Sequence, residues 1–360
     1  MKMSQKIFPP LSLADLGRRG AQNFLSLVRS IQEDDLVLAL GSGVSNSVGL
    51  PIWGELLKRL TLTFFRHWEC RIDSGAASYE NPPTNMSIAF VEDENDPIWA
   101  LVNEMESHDP KFVELSRSFS AGDPLIVAQQ IKTCIREQDW RYLLYHALYL
   151  NHTDLTVDDI RSQLLKNLAN LCSKNNCVKS VLNYNYDNAF EIHLRRHSIP
   201  CRAFWDPAFS EKAGKLPIYH PHGYLPFPGG PLAKSVIAES DYHGEYAQSD
   251  NWANLVQFRE FTGSTCLFVG NSMTDPNLRR ILRSSKPIAN RWHYAFLPKE
   301  STPTKYQSMS YALFDSDLIQ IGIRVIRFPK KVAPNDPYGR LSELIELLSN
   351  AVSNKDIIWN

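Results

Sequence analysis

Apolar positions along the chain follow two periods, and the alternation between them predicts the architecture. Leu36-Val37-Leu38-Ala39-Leu40 is an unbroken apolar run, entered through Glu33-Asp34-Asp35 and left through Gly41. Such a run reads as a central strand of a parallel sheet, buried on both faces. Val178–Leu182, Thr265–Val269, His293–Leu297 and Ile323–Phe328 read as further strands of that sheet, and Val236 begins a shorter one. Between them the spacing changes to three and four. Leu13, Leu16, Phe24, Leu25, Val28 and Ile31 predict a helix with Ser12 as its N-cap. Trp53–Trp68 and Ala189–Arg196 predict helices directly after the first two strands, a capped helix runs from Asp241 towards Phe261, and Tyr338–Val352 is a terminal amphipathic helix.

A different character separates the first two strand units. Residues Cys70–Asp96, with Asn81-Pro82-Pro83 and Glu92-Asp93-Glu94-Asn95-Asp96, predict an acidic surface loop. From Pro97 to about Asn175 only helical signals follow: Ile98–Met105, Val113–Phe119, Ile126–Ile135, Trp140–Tyr149 and Ile160–Cys172. These predict a helical cap over the cleft. The division expected is therefore 1–69 with 177–329 as the sheet-bearing domain, 70–176 as a mainly helical insertion, and 330–360 as a C-terminal helix. That last helix packs on its own domain or forms an oligomer contact.

Composition narrows the function without choosing it. The formal net charge is −1 over 360 residues, so no global field attracts nucleic acid or an anionic membrane. No apolar run approaches the roughly 20 residues that span a bilayer, and Ile7-Phe8-Pro9-Pro10 is no signal-peptide core, so a cytoplasmic location is expected. Cys70, Cys134, Cys172, Cys177, Cys201 and Cys266 form no C-x-x-C pair and read as reduced, dispersed thiols.

Chemistry concentrates at the carboxyl ends of the strands, where open α/β sheets bind ligands. After the first strand comes Gly41-Ser42-Gly43-Val44-Ser45-Asn46-Ser47, leading to Gly49-Leu50-Pro51-Ile52-Trp53. The glycines permit close backbone approach to a phosphate or positive φ, and Ser42, Ser45 and Ser47 add hydroxyls suited to a diphosphate or ribose. The spacing is neither G-x-G-x-x-G nor G-x-x-x-x-G-K-[ST], and a glycine-rich connector is the competing reading. After Val178–Leu182 comes Asn183-Tyr184-Asn185-Tyr186-Asp187, with Glu191 in the next helix; an Asn/Asp helix start competes there. His220-Pro221-His222-Gly223 offers a metal pair, a core histidine or a reactive one, and the Pro- and Gly-rich Leu225–Lys234 reads as a mobile loop above it. After Thr265–Val269 comes Gly270-Asn271-Ser272-Met273-Thr274-Asp275-Pro276-Asn277-Leu278, in which Asp275 caps a helix that Pro276 begins.

These four elements, in this order, resemble the sirtuin superfamily, and specifically the sirtuin-like NAD hydrolases of bacterial anti-phage defence systems. Gly41-Ser42-Gly43-Val44-Ser45 with Gly49, Pro51 and Trp53 resembles the first NAD-binding motif. Pro51-x-Trp53 stands where protein deacylases carry Asp-Phe-Arg. Asn185-Tyr186-Asp187 matches the position of the catalytic Asn, His222 that of the catalytic His, and Gly270-Asn271-Ser272 the late Gly-x-Ser motif that meets the adenosine half of the cofactor. The resemblance implies an α/β fold, a Rossmann-like parallel sheet flanked by helices with a helical insertion. It implies catalytic Asn185, His222 and Asp187, and cofactor contacts from Gly41, Ser42, Gly43, Val44, Ser45, Trp53, Gly270, Asn271 and Ser272. It also implies NAD as substrate and no zinc, because the two cysteine pairs of the deacylases are missing.

These residue types suit the reaction. The nicotinamide of NAD is already cationic at its glycosidic nitrogen and leaves without a proton from a general acid. The site must supply neutral dipoles around an oxocarbenium-like ribose and a positioned nucleophile. Asn185 can hold a ribose hydroxyl or water without placing positive charge beside a developing cation, and His222 can accept a proton. Asp187 can orient either group, stabilise the cation or cap the helix. The expected activity is NAD hydrolysis to nicotinamide and ADP-ribose, as a triggered NAD-depleting effector of abortive infection. Control would come through homo-oligomerisation or a partner such as a HerA-type ATPase or an Argonaute-type protein. The alternatives are an NAD-dependent protein deacylase without zinc, and a non-catalytic NAD or ADP-ribose sensor.

Overall fold

A computed structural model describes residues 10–33, 35–78, 80–81, 83–87, 123–149, 162–174, 177–207, 214–229, 233, 235–248, 250–330 and 338–353. After a 3-10 turn (Leu13–Leu16) the chain runs α1 (Gly17–Glu33), β1 (Leu36–Leu40), α2 (Ser42–Asn46), α3 (Trp53–Asp73), α4 (Pro124–Cys134), α5 (Glu137–Tyr149) and α6 (Gln163–Ser173). It continues with β2 (Val178–Asn183), α7 (Ala189–Arg196), β3 (Cys201–Phe204), β4 (Leu216–Tyr219), α8 (Glu239–Ala247), α9 (Trp252–Gly263) and β5 (Thr265–Val269). The last elements are α10 (Pro276–Ser285), β6 (His293–Lys299), α11 (Lys305–Gln320), β7 (Ile323–Pro329) and α12 (Gly339–Ser353).

The seven strands form one parallel sheet in the order β3-β4-β2-β1-β5-β6-β7. β1 lies at its centre, with Leu40 level with Asn183 of β2 on one side and Val269 of β5 on the other. From β1 the chain builds outward through β2 first and later, in the opposite direction, through β5. Strand order therefore reverses beside β1, which opens a crevice at the carboxyl ends of these strands.

Side-chain alternation sorts β1 between two cores. Leu36, Leu38 and Leu40 join α1, α6, α7 and α12, while Val37 and Ala39 join α9, α10 and α11. A third cluster draws α3, α4 and α5 together over Tyr186, Leu225 and Ile237. The helices at 124–173 thus divide, because α6 packs on α12 in the first core. The C-terminal helix packs on α6, α1 and β7. Among the described residues no helix is long and apolar enough to cross a membrane.

Local chemistry explains where boundaries differ from expectation. Ser12 N–H and Oγ both donate to Asp15 Oδ2, which closes a 3-10 turn, and α1 begins only at Gly17, which turns the chain at φ 70°. α3 continues to Asp73, so Cys70–Asp73 is helical rather than loop. Val236–Ala238 is coil held to the His222 carbonyl, not a strand, and the helix expected from Asp241 to Phe261 is two, because the Asn251 side chain caps a new start at Asn254 N–H. β3 and β4 are four-residue strands, too short for periodicity to reveal, and α11 carries a legible T-x-x-Q capping box at Thr304 and Gln307 that the periodicity alone did not expose. The helices expected at Ile98–Met105 and Val113–Phe119, and the acidic stretch Glu92–Asp96, lie outside the described residues.

One buried histidine makes a test of the sheet. His293, at the start of β6, is 2% exposed and its Nδ1 accepts the Cys266 N–H at 3.2 Å. Burial drives its pKa down to about 4. The folded state refuses a proton that the unfolded chain binds near pH 6.5, so stability present above that pH is lost as the pH falls from about 6.5 to 4. The contribution is on the order of 3 kcal/mol at its limit. His293→Asn keeps an acceptor near Nδ1 and cannot titrate; denaturant unfolding at pH 7.5 and 5 should show a smaller acid loss for it than for the wild type.

Candidate active site

The crevice beside β1 holds a cavity of about 250 Å³. Gly41, Ser42 and Ser45 from the β1–α2 turn, Trp53 from the start of α3, Asn185 and Asp187 after β2, His222 after β4, and Asn271 and Ser272 after β5 all line it. Gly43, Val44 and Gly270 do not. They form the joint between the first and last of these turns: Gly43 N–H donates to the Gly270 carbonyl at 2.9 Å, and Val44 is 2% exposed in the first core.

This joint explains the glycines differently from phosphate contact or positive φ in the first turn. Gly41 has φ −114°, which any residue adopts, but a Cβ there would lie 2.6 Å from both the Asn271 Cα and the Gly270 carbonyl oxygen. A Cβ on Gly43 would lie 3.0 Å from the Gly270 Cα. Gly270 itself turns at φ 64°, with Val44 N only 2.7 Å from the position of a Cβ. Gly41 N–H bonds the Val269 carbonyl, so this amide and that of Gly43 are already engaged by the β5 side.

The β2 turn is tied to the same joint by side chains. Asn185 Nδ2 donates to the Gly41 carbonyl at 3.0 Å, and Ser45 Oγ donates to Asp187 Oδ2 at 2.6 Å. Asp187 Oδ1 accepts Ala189 N–H at 3.0 Å, which makes a local turn while Asn188 takes the cap position of α7. Asp187 is 2% exposed, and burial raises its pKa despite the Ser45 and Ala189 hydrogen bonds, which lower it. Ser47 is turned away: its hydroxyl bonds the Val44 carbonyl and Ser162 Oγ.

His222 and His220 point to different partners, which removes the metal-pair reading. His222 Nε2 lies 3.5 Å from Asp275 Oδ2, with its ring edge-on to Tyr184. Tyr242 Oη donates to the same Asp275 oxygen at 2.8 Å, and the other oxygen accepts Leu278 N–H. His220 instead sits between Glu191 and the Asn185 carbonyl. Among the described residues no group of three or more His, Cys, Asp or Glu side chains could hold a metal ion.

Sequence reasoning assigned Asp275 only its cap and missed Tyr184, Tyr186 and Tyr242 at the wall. The tyrosines of Asn183-Tyr184-Asn185-Tyr186 were legible as neighbours of Asn185; Tyr242 was not. Burial holds the Tyr184 hydroxyl as a phenol, with its pKa well above the usual range, and it donates to Gln257. Pro124 and Leu125 of α4 and Leu148 of α5 close the cavity from the helical side. The Pro- and Gly-rich loop is pinned where it is described, by Leu225 N–H on the Tyr186 carbonyl, by paired Asn188–Phe227 bonds of 2.9 Å, and by Gly229 N–H on Tyr145 Oη.

Four strand ends thus deliver the Gly-Ser, Asn-Tyr-Asp, His-Gly and Gly-x-Ser elements to one cavity. Residues 179–318 match the family model described as SIR2-like domain. A curated relative is the NAD(+) hydrolase ThsA of Bacillus cereus (strain MSX-D12), 28% identical over 150 residues. The match covers 39% of this chain and 29% of that protein's length. The SIR2-like match begins within β2 and ends within α11, so it contains the Asn185, His222 and Ser272 turns, and β1 with its glycine turn lies before it.

The joint predicts a selective glycine requirement. Gly41→Ala must force the β1 and β5 turns apart, costing about 1–3 kcal/mol. Gly54→Ala, in the first turn of α3 with nothing within 4 Å of its added Cβ, should leave stability equal or raised. Urea unfolding of the two variants checks the contrast.

Proposed function

We propose that this chain hydrolyses the N-glycosidic bond of NAD to nicotinamide and ADP-ribose, with Asn185 and His222 as the catalytic residues and Asp187 beside them. The observation that carries the reading is the convergence of these three side chains on a cavity whose described lining holds two carboxylates, Asp187 and Asp275, and no lysine or arginine. A cationic nicotinamide ring and a developing oxocarbenium are favoured there, and a cation offsets the desolvation of buried Asp187. Asn185 offers a neutral amide of fixed orientation. His222, with Asp275 beside its ring, takes the proton as water or a ribose hydroxyl attacks C1′.

The cavity is smaller than the roughly 300–1,000 Å³ of sites that enclose a drug-sized ligand. It therefore takes the nicotinamide-ribose end, and Ser272 and Thr274, exposed at its mouth, meet the adenosine half together with Asn271. Gly41, Ser42, Ser45 and Trp53 contact the dinucleotide from the β1 side, while Gly43, Val44 and Gly270 shape the turns. The NAD-binding unit is 1–69 with 177–329, the insertion is 70–176, and 330–360 is the C-terminal segment. Within the insertion, Pro124–Tyr149 is the part that closes the site.

The relative's hydrolase activity and the defence resemblance support a triggered NAD-depleting effector in the cytoplasm. Its control would be a homo-oligomer, or a HerA-type ATPase or Argonaute-type partner. The test is chromatography of NAD incubations with the full chain, alone and with such a partner. Nicotinamide and ADP-ribose are expected, with Asn185→Ala and His222→Ala each slowing release by about 10²–10⁴-fold while remaining folded. Binding of NAD with no nicotinamide in any condition would favour the sensor, and release that requires acyl-lysine the deacylase.

A further inference from the structure

Glu191 on α7 and His220 after β4 are enclosed beneath the pocket wall, 0% and 1% exposed. Glu191 Oε1 lies 2.6 Å from His220 Nε2, and His220 Nδ1 lies 3.0 Å from the Asn185 carbonyl oxygen. A peptide carbonyl only accepts, so Nδ1 carries a hydrogen. The Nε2–Oε1 contact also needs one hydrogen, held by the ring or by the carboxyl group. In either arrangement the pair carries the Nδ1 hydrogen and one hydrogen shared between Nε2 and Oε1, with no net charge. The Tyr224 ring covers His220 at 4.5 Å, and Trp205 stacks on Tyr224 at 4.6 Å.

Stability alone is a poor reason for such a pair, because well-packed apolar side chains in its place are often neutral or better. Glu191 Oε2, buried without a hydrogen-bond partner among the described residues, adds to the cost. What the pair does accomplish is placement. Asn185 N–H goes to Asn183 Oδ1, its Nδ2 to the Gly41 carbonyl and its carbonyl to His220, so three polar groups of one residue are fixed from three directions.

We propose that Glu191 and His220 are positioning residues: through their shared proton they fix the Asn185 peptide and thereby orient the Asn185 amide at the pocket wall. The catalytic consequence rests on the NAD-hydrolase reading; the orientation itself does not. In Glu191→Gln the amide can donate to Nε2 and leave Nδ1–H in place. In His220→Phe the donor to Asn185 is gone.

The experiment uses the full chain, with its partner where hydrolysis requires one, and two readouts. His220→Phe should lower kcat for nicotinamide release by about 10- to 100-fold with KM within about threefold, while Glu191→Gln stays within about threefold of wild type in both. The double variant Glu191→Met/His220→Phe should regain the melting temperature but not kcat. The second readout is the ¹⁵N side-chain amide signal of Asn185, identified by its loss in Asn185→Asp. It should stay dispersed in wild type and Glu191→Gln and collapse towards the solvent-exposed position in His220→Phe. Recovery of kcat by the apolar double variant, or an unmoved Asn185 signal in His220→Phe, would overturn the proposal. A wild type that releases no nicotinamide in any condition would count against the hydrolase reading, and the amide signal would still decide the positioning.

Discussion

The structure depends on how closely two turns can approach. β1 is flanked by β2 and β5 and buried on both faces, so the turns that leave β1 and β5 must pass each other at backbone contact. Gly41 and Gly43 on one side and Gly270 on the other leave no room for a Cβ. Once the joint is closed, Val44 enters the core, Asn185 finds the Gly41 carbonyl, and Ser45 reaches Asp187. The cavity is what remains between turns whose backbones are already bonded to one another.

Within that frame the polar groups divide into those that hold and those left to act. Gly41 N–H, Gly43 N–H, Ser45 Oγ and Asn185 Nδ2 are committed to protein acceptors. Asp275 is held by Tyr242 and Leu278 while it faces His222. Turns bonded to one another in this way hold their polar groups in fixed directions, which is the condition under which dipoles act on developing charge without reorganising. Its wall carries Trp53, three tyrosines and two carboxylates, Asp187 and Asp275, in a chain whose overall charge is near neutral.

Much of this was legible in the sequence because the decisive signals are local. The Leu36–Leu40 run, the glycine turn after it and the Asp275-Pro276 helix start each express their structure within a few residues. Convergence of the four turns followed from parallel strands, since all their carboxyl ends face one way. What escaped reading depends on distant partners. Ser47 bonds Ser162, Tyr242 reaches Asp275 from another helix, and Gly41 needs its bareness because of Asn271. No periodicity encodes such meetings. β3 and β4 escaped for the opposite reason, being four residues each, with Pro217 inside the second.

The placement of β1 has a consequence for synthesis on the ribosome. Leu36 finds its neighbours only at Val178 and Thr265, so the first strand made waits for one of the last before it is paired on both edges. Such long-range pairing is slow to form. The pocket needs the turn after β5 as its far wall, so no nascent chain shorter than about the end of α10 contains a complete site. A chain that stops before β5 lacks the Asn271, Ser272 and Asp275 side of the cavity, so the other three turns alone cannot enclose a ligand there.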